Sequence, residues 1–247
     1  MNIGKSREEK KRVGKKKKRE KLERVLVETA DKSYTYYSNR YQQCYHSKEG
    51  AVLESYYKHF LPAFQWVAWK GWKKVKILDL CFGLGYNSLI TLLYRPPGIE
   101  VEIFSPELDR ELVTSLSQFP YPSLFRSLLP VIKKIAQSGK FEGNGIKIEL
   151  FFGPAEELIS TFSENSFQII YHDPFSRRSN PELWSSKFID HLRRTITEDG
   201  IVTTYASARS IRQEFLKKGF YLYTHPYPII KPGTIFSPFL DLPFPKL

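Results

Sequence analysis

Residues 75–87 read Val75-Lys76-Ile77-Leu78-Asp79-Leu80-Cys81-Phe82-Gly83-Leu84-Gly85-Tyr86-Asn87, and their reading decides the fold. The run from Val75 to Leu80 predicts a buried strand. It leads into a turn with two glycines and then into the helical stretch Ser88 to Tyr94, which Pro96-Pro97 stops. Strand, glycine turn, helix is the opening unit of a nucleotide-binding α/β sheet. Residues without a Cβ let the backbone turn sharply there and come close to a ligand.

Working outward, Val101 to Phe104 predicts a second strand, followed by Ser105-Pro106-Glu107. An acidic residue about 20 or more positions past the glycines is where such folds hold a pair of ribose hydroxyls. Glu107 fills that place, with Asp109 as the alternative. The turn lacks the third glycine of the dinucleotide fingerprint, Ser88 standing in its place, so there is little provision for a pyrophosphate. That favours S-adenosylmethionine, whose adenosine and amino acid parts need the turn and the acid but no phosphate cradle. The expected cofactor set is Asp79, Phe82, Gly83, Gly85, Asn87, Glu107, Gly153, Glu156 and Asp173.

Further strands are expected at Ile146–Phe152, Phe167–Tyr171, Ile201–Tyr205, Phe220–Thr224 and near Ile229-Ile230, with helices after Pro154, over 182–194 and over 209–218. Strands alternating with helices at this spacing mean a doubly wound, mostly parallel sheet covered on both faces. In front of it, Val25–Val27 and Tyr34–Tyr37 read as a hairpin, and Ala51 to Leu61 as an amphipathic helix that Pro62 ends or kinks. The run Tyr171-His172-Asp173-Pro174-Phe175-Ser176 places a carboxylate, a rigid proline and an aromatic ring at a strand's carboxyl end, where open α/β sheets bind ligands. A carboxylate there accepts N–H bonds from an amine or a flat base, and the ring offers a stacking face.

Composition narrows the class. With 247 residues and 41% hydrophobic content the chain can bury one large core. No apolar run approaches the roughly 20 residues needed to span a bilayer, so the reading is a soluble, cytoplasmic protein without membrane contact. Cys44 and Cys81 form no C-x-x-C pair and the five histidines show no ligand spacing, so no metal is expected. Of the net charge of +12, much lies at the amino terminus, with twelve Lys or Arg against four Glu between Lys5 and Arg24. Such an arm either tracks a phosphate backbone or is a solvated terminus.

Taken together, YHS..GA..ES at 45–55, the FGLGYN loop at 82–87, SPE ending at Glu107, D-P-F and N-P-E-L-W between Asp173 and Trp184, and SARSIRQEFLKKGF at 207–220 resemble a known family. It comprises the methyltransferases that act on the 5-aminomethyl group of wobble uridine in tRNA, equivalent to the methyltransferase half of the bifunctional MnmC enzymes. The resemblance runs from about Tyr34 to Phe220. It implies the S-adenosylmethionine-dependent methyltransferase fold with a seven-stranded sheet, and a reaction giving 5-methylaminomethyluridine at position 34. The expected division is a basic arm at 1–24, a hairpin-and-helix extension at 25–70 and a methyltransferase domain at 71–247. One departure is Pro154 after Gly153, where the family often has Asp, so the adenine contact falls to Glu156 or a backbone amide. The chain stops at Leu247 with no oxidase sequence, so the substrate is expected to arrive bearing the aminomethyl group.

On this reading Asp173 and Phe175 are the expected catalytic residues. Tyr86, Asn180, Trp184 and Ser207 are expected around the substrate, with Arg177 and Arg178 on phosphates of the tRNA anticodon region. Oligomeric state is left open. Two other classes share these features: an aminopropyltransferase of the spermidine synthase kind, and a non-catalytic tRNA-binding protein on the same sheet. Arg177-Arg178 beside Asp173 disfavour the polyamine dication that the first would take.

Overall fold

The computed structural model describes residues 24–247, so the lysine-rich arm, Arg24 apart, lies outside the described residues. The chain opens with β1 (Arg24–Glu28), β2 (Tyr34–Ser38) and β3 (Gln43–Cys44), an antiparallel three-stranded sheet. Helix α1 (Ala51–Glu54) follows, then a π-helical stretch (Ser55–Phe60), then α2 (Leu61–Lys70). Pro62 therefore neither ends nor breaks the run. Proline lacks an amide hydrogen and crowds the carbonyl four residues back, and the wider winding just ahead of it accommodates both defects.

The main sheet comprises β4 (Lys74–Leu80), β5 (Glu100–Pro106), β6 (Lys140–Gly143), β7 (Ile146–Phe151), β8 (Phe167–His172), β9 (Ile196–Thr204), β10 (Tyr221–Tyr223) and β11 (Thr234–Ser237). Their order is β10-β11-β9-β8-β4-β5-β7-β6. The five strands β7, β5, β4, β8 and β9 pair in parallel, and β11 runs antiparallel between β9 and β10. Seven of these strands form the doubly wound sheet expected from the sequence. The eighth, β6, is an edge strand that the Asn144-Gly145 turn folds back on β7. Two boundaries also differ from the sequence reading. β9 begins at Ile196 and runs through Asp199-Gly200 with a register shift against β8. The last strand is Thr234–Ser237 and not Ile229-Ile230, where Pro226, Pro228 and Pro232 remove the amide donors a ladder needs.

Between the strands lie α3 (Tyr86–Tyr94), α4 (Arg110–Ser115), α5 (Leu129–Ser138), α6 (Ala155–Ser160), α7 (Ser186–Thr195) and α8 (Arg209–Lys217). Alternation along β4 shows how the sheet divides them. Val75 and Ile77 enter one core with Phe60, Phe64 and Leu89, while Leu78 and Leu80 enter the opposite one with Leu158, Phe188 and Phe215. In the second core the rings of Phe215 and Phe236 stack 3.8 Å apart at 11°, joining α8 to β11. Phe236→Ala is expected to cost about 3–5 kcal/mol in urea unfolding, and Phe236→Leu well under half of that.

Candidate active site

β4 and β8 are parallel neighbours, with Leu80 opposite His172, so the glycine turn and Asp173 emerge side by side. Above them opens a cleft of about 2270 Å³. That is well beyond the few hundred to 1,000 Å³ typical of a small-molecule site, so it has room for a cofactor and part of a second molecule.

One half of the cleft is built on the glycine turn. Gly83 and Gly85 hold φ of 54° and 72°, and a Cβ on Gly85 would fall 2.7 Å from the Phe82 ring. Gly85 thus shapes the start of α3 without lining the cleft, whereas Phe82, Gly83, Tyr86 and Asn87 line it. Glu107 faces them. Its Oε2 accepts from the Gly83 amide and its Oε1 from the Asp109 amide, both at 2.8 Å, which fixes the carboxylate while lone pairs remain for hydroxyl donors. Burial raises the Glu107 pKa, and these amide bonds offset only part of the rise. Gly153, Pro154 and Glu156 close the far wall, so proline does stand where the resemblance would place an acid.

Asp79 lies beneath the turn, almost fully buried, and its Oδ2 accepts from Ser88 Oγ at 2.6 Å. Its Oδ1 and the Asn87 Oδ1 are buried acceptors without a partner. Asn87 lines the cleft and its orphaned Oδ1 suits a cationic amino group, whereas Asp79, expected in the cofactor set, stays beneath the turn outside the lining; Glu107 suits a ribose. The residues present therefore fit S-adenosylmethionine.

The other half surrounds Asp173, which accepts from Asn87 Nδ2 at 2.9 Å. Its Oδ1 lies 3.5 Å from Nε2 of His59, a fully buried ring whose Nδ1 meets Thr203 Oγ1 at 2.9 Å. Burial alone would push the Asp173 pKa up, but His59, His46 and the Asn87 amide outweigh it and hold the carboxyl below its ordinary value. Asp79 moves the other way. Burial and the nearby Asp173 charge push it up to about 7. The two carboxyls are thus driven apart, Asp173 staying ionised while Asp79 takes up a proton near neutrality.

Phe175 lies between Tyr41, at 4.4 Å between centroids, and Tyr45, at 4.9 Å. Tyr205 donates to the Pro174 carbonyl at 3.0 Å. Glu54 and Lys58 also line this half as a buried pair at 2.7 Å.

Not every residue expected at the site reaches it. Trp184 is buried, its ring 4.4 Å from that of His172 and its Nε1 donating to the Phe175 carbonyl at 2.7 Å, so it braces the loop from behind and offers no face to a substrate. Asn180 lines the cleft and donates to Glu182 Oε1 at 3.1 Å. Arg177, Arg178 and Ser207 are exposed outside the lining. Conversely, sequence reasoning passed over His46, His59, Tyr41 and Tyr45. The only available signal was the YHS motif holding Tyr45 and His46. His59 looked like one polar position on an amphipathic helix.

The Asp79 shift has a sign that can be tested. Its folded pKa lies above its ordinary value of 3.8, so the folded state binds more protons, and this stabilisation is lost as pH rises from about 4 to 7. Asp79→Asn should remove up to about 4 kcal/mol of that pH dependence. The check is urea unfolding of both proteins across this range, where the stability difference between them should change with pH.

A family model described as S-adenosyl-L-methionine-dependent methyltransferase matches residues 122–228. The crystal structure of MnmC2 from Aquifex aeolicus superposes with a TM-score of 0.80 at 30% identity, covering 93% of this chain and 74% of that one. An uncharacterized protein of Methanocaldococcus jannaschii is 29% identical, covering 81% of this chain and 55% of its own length. The tRNA 5-methylaminomethyl-2-thiouridine biosynthesis bifunctional protein MnmC of Methylibium petroleiphilum is 28% identical, covering 73% of this chain and 29% of its own length. The chain thus spans about half the length of the first of these curated relatives and under a third of the second. With the methyltransferase sheet, the glycine turn and Glu107 in place, the chain belongs to the MnmC-like family of S-adenosylmethionine-dependent methyltransferases.

Proposed function

We propose that this protein methylates the 5-aminomethyl nitrogen of wobble uridine, position 34 in the anticodon region of tRNA, giving 5-methylaminomethyluridine. The observation that carries the reading is Asp173, a carboxylate held by Asn87 Nδ2 at 2.9 Å in the cofactor's own cleft, with space beside it for a further group. The relatives named for tRNA 5-methylaminomethyl-2-thiouridine biosynthesis point to the nucleoside. The cofactor, when bound, supplies an activated methyl group on a sulfonium.

The chain's residues do the rest. An alkylammonium ion has no lone pair, so the acceptor must be held as the free amine. Asp173 accepts one N–H bond and turns the nitrogen toward the donor half, contributing mainly orientation. A carboxylate held below its ordinary pKa is a poor base, so Asp173 does not keep the proton. His46 lines the same cleft, and its imidazole, whose pKa burial lowers, is the neighbouring group that can pass the proton on. Phe175, backed by Trp184, walls the amine off from water.

An aminopropyltransferase would need several carboxylates free around a dication. Here Glu54 is already paired with Lys58, which leaves Asp173 and, at the rim, the exposed Glu182. Among the described residues, no group of three His, Cys, Asp or Glu is placed to hold a metal ion, and no helix is long and apolar enough to cross a membrane.

The direct test incubates the protein with labelled cofactor and tRNA whose wobble uridine carries the unmethylated aminomethyl group, followed by nucleoside analysis. Label should appear in 5-methylaminomethyluridine, and failure to label any tRNA removes the proposal. Asp173→Ala should lower kcat by about 100-fold through loss of orientation. Cofactor affinity is measured separately by calorimetry, and near-normal turnover in this variant would sink the role given to Asp173.

A further inference from the structure

The turn between β2 and β3, residues 39–42, reaches over the acceptor half of the cleft and is fastened to the loop that carries Asp173. Gln43 Oε1 accepts from Ser176 Oγ at 2.8 Å and from Ser179 Oγ at 3.2 Å, and Ser179 Oγ also lies 3.1 Å from the Tyr41 carbonyl. The turn is held stiffly as well. Gln42 sits at a φ of 54°, and its side chain closes the turn by donating to the Asn39 carbonyl at 2.7 Å. A non-glycine residue kept in that region by its own hydrogen bonds marks a preorganised tip.

What the tip presents is chemically specific. Phe175, two residues from Asp173, packs against Tyr41, and the exposed guanidinium of Arg40 lies over the Tyr41 ring at 5.4 Å. Phe175, Tyr41 and Arg40 therefore stand in successive contact from the acceptor carboxylate to the surface. The loop bonded to this tip carries the exposed Arg177 and Arg178. A planar guanidinium at the end of aromatic rings, with further arginines on the adjoining loop, matches an unpaired base together with its phosphates. Bases splayed from RNA loops stack on aromatic rings or on arginine planes, and arginines neutralise the backbone.

From this arrangement we infer that the Arg40–Tyr41 tip is an RNA-reading element that stacks an unpaired nucleotide flanking the acceptor. This rests on the reading of the acceptor as a nucleotide-borne amine. It gives the amino-terminal sheet a role in choosing the substrate, separate from the methyl transfer.

The experiment uses the full chain with S-adenosylhomocysteine and an RNA hairpin carrying the fluorescent base 2-aminopurine in its loop, next to the acceptor position. Binding to the wild type should quench the fluorescence through stacking. Arg40→Ala should raise Kd about tenfold and abolish the quench. Arg40→Lys, which keeps the charge but not the plane, should recover part of the affinity and none of the quench. Arg40 is exposed, so both variants are expected to fold, and calorimetry with the cofactor verifies this. Unchanged affinity and quenching in Arg40→Ala would overturn the inference alone, leaving labelling of tRNA by the wild type intact. A wild type that neither binds the hairpin nor labels tRNA would overturn both this inference and the functional reading beneath it.

Discussion

The hydrogen bond from Asn87 to Asp173 ties the donor half of the cleft to the acceptor half, and much of the structure serves to make it possible. Asn87 stands in the first turn of α3 and Asp173 just past the end of β8. They meet only because β4 and β8 pair in parallel at the centre of the sheet, so that both loops leave from the same edge. Desolvating a carboxylate at that point is costly, and the cost is offset locally by the Asn87 amide, His59 and His46. A charge kept in this way is already oriented before any ligand arrives, which is the property an orienting group needs.

Two carboxyls close together would ordinarily repel, and here the repulsion sorts them. Asp79, deeper and with one unpartnered oxygen, gives up its charge more readily, while Asp173, with three polar neighbours, keeps it. A cation held in the cleft above Asp79 would favour its ionised form.

Much of the architecture was legible in local sequence. The strand, glycine turn and helix at 75–94 and the acid at 107 depend on short-range rules of periodicity and backbone freedom, and the structure places Glu107 against Gly83 as those rules suggest. The D-P-F stretch was legible as a strand end. What could not be read were contacts across long sequence distances. His59 reaches Asp173 from the π-helical stretch, and Gln43 bonds Ser176 and Ser179 from a strand of two residues too short to leave a periodic pattern. Trp184 was misplaced for a related reason. Sequence gives an aromatic residue near a site but not which side of the loop it occupies, and the His172 ring behind the loop claims it.

The position of β11 has a bearing on how the molecule is made. Thr234–Ser237 follow β9 and β10 in sequence, yet they sit between the two and pair with both. During folding β9 is therefore left with an open edge, and β10 without its neighbour, until Thr234–Ser237 inserts between them. Contacts of such wide sequence separation form late, and an open edge invites pairing with other chains in the interval. The far side of the sheet that carries the cleft thus closes only when this strand arrives, and the edge of β9 stays open to pairing until then.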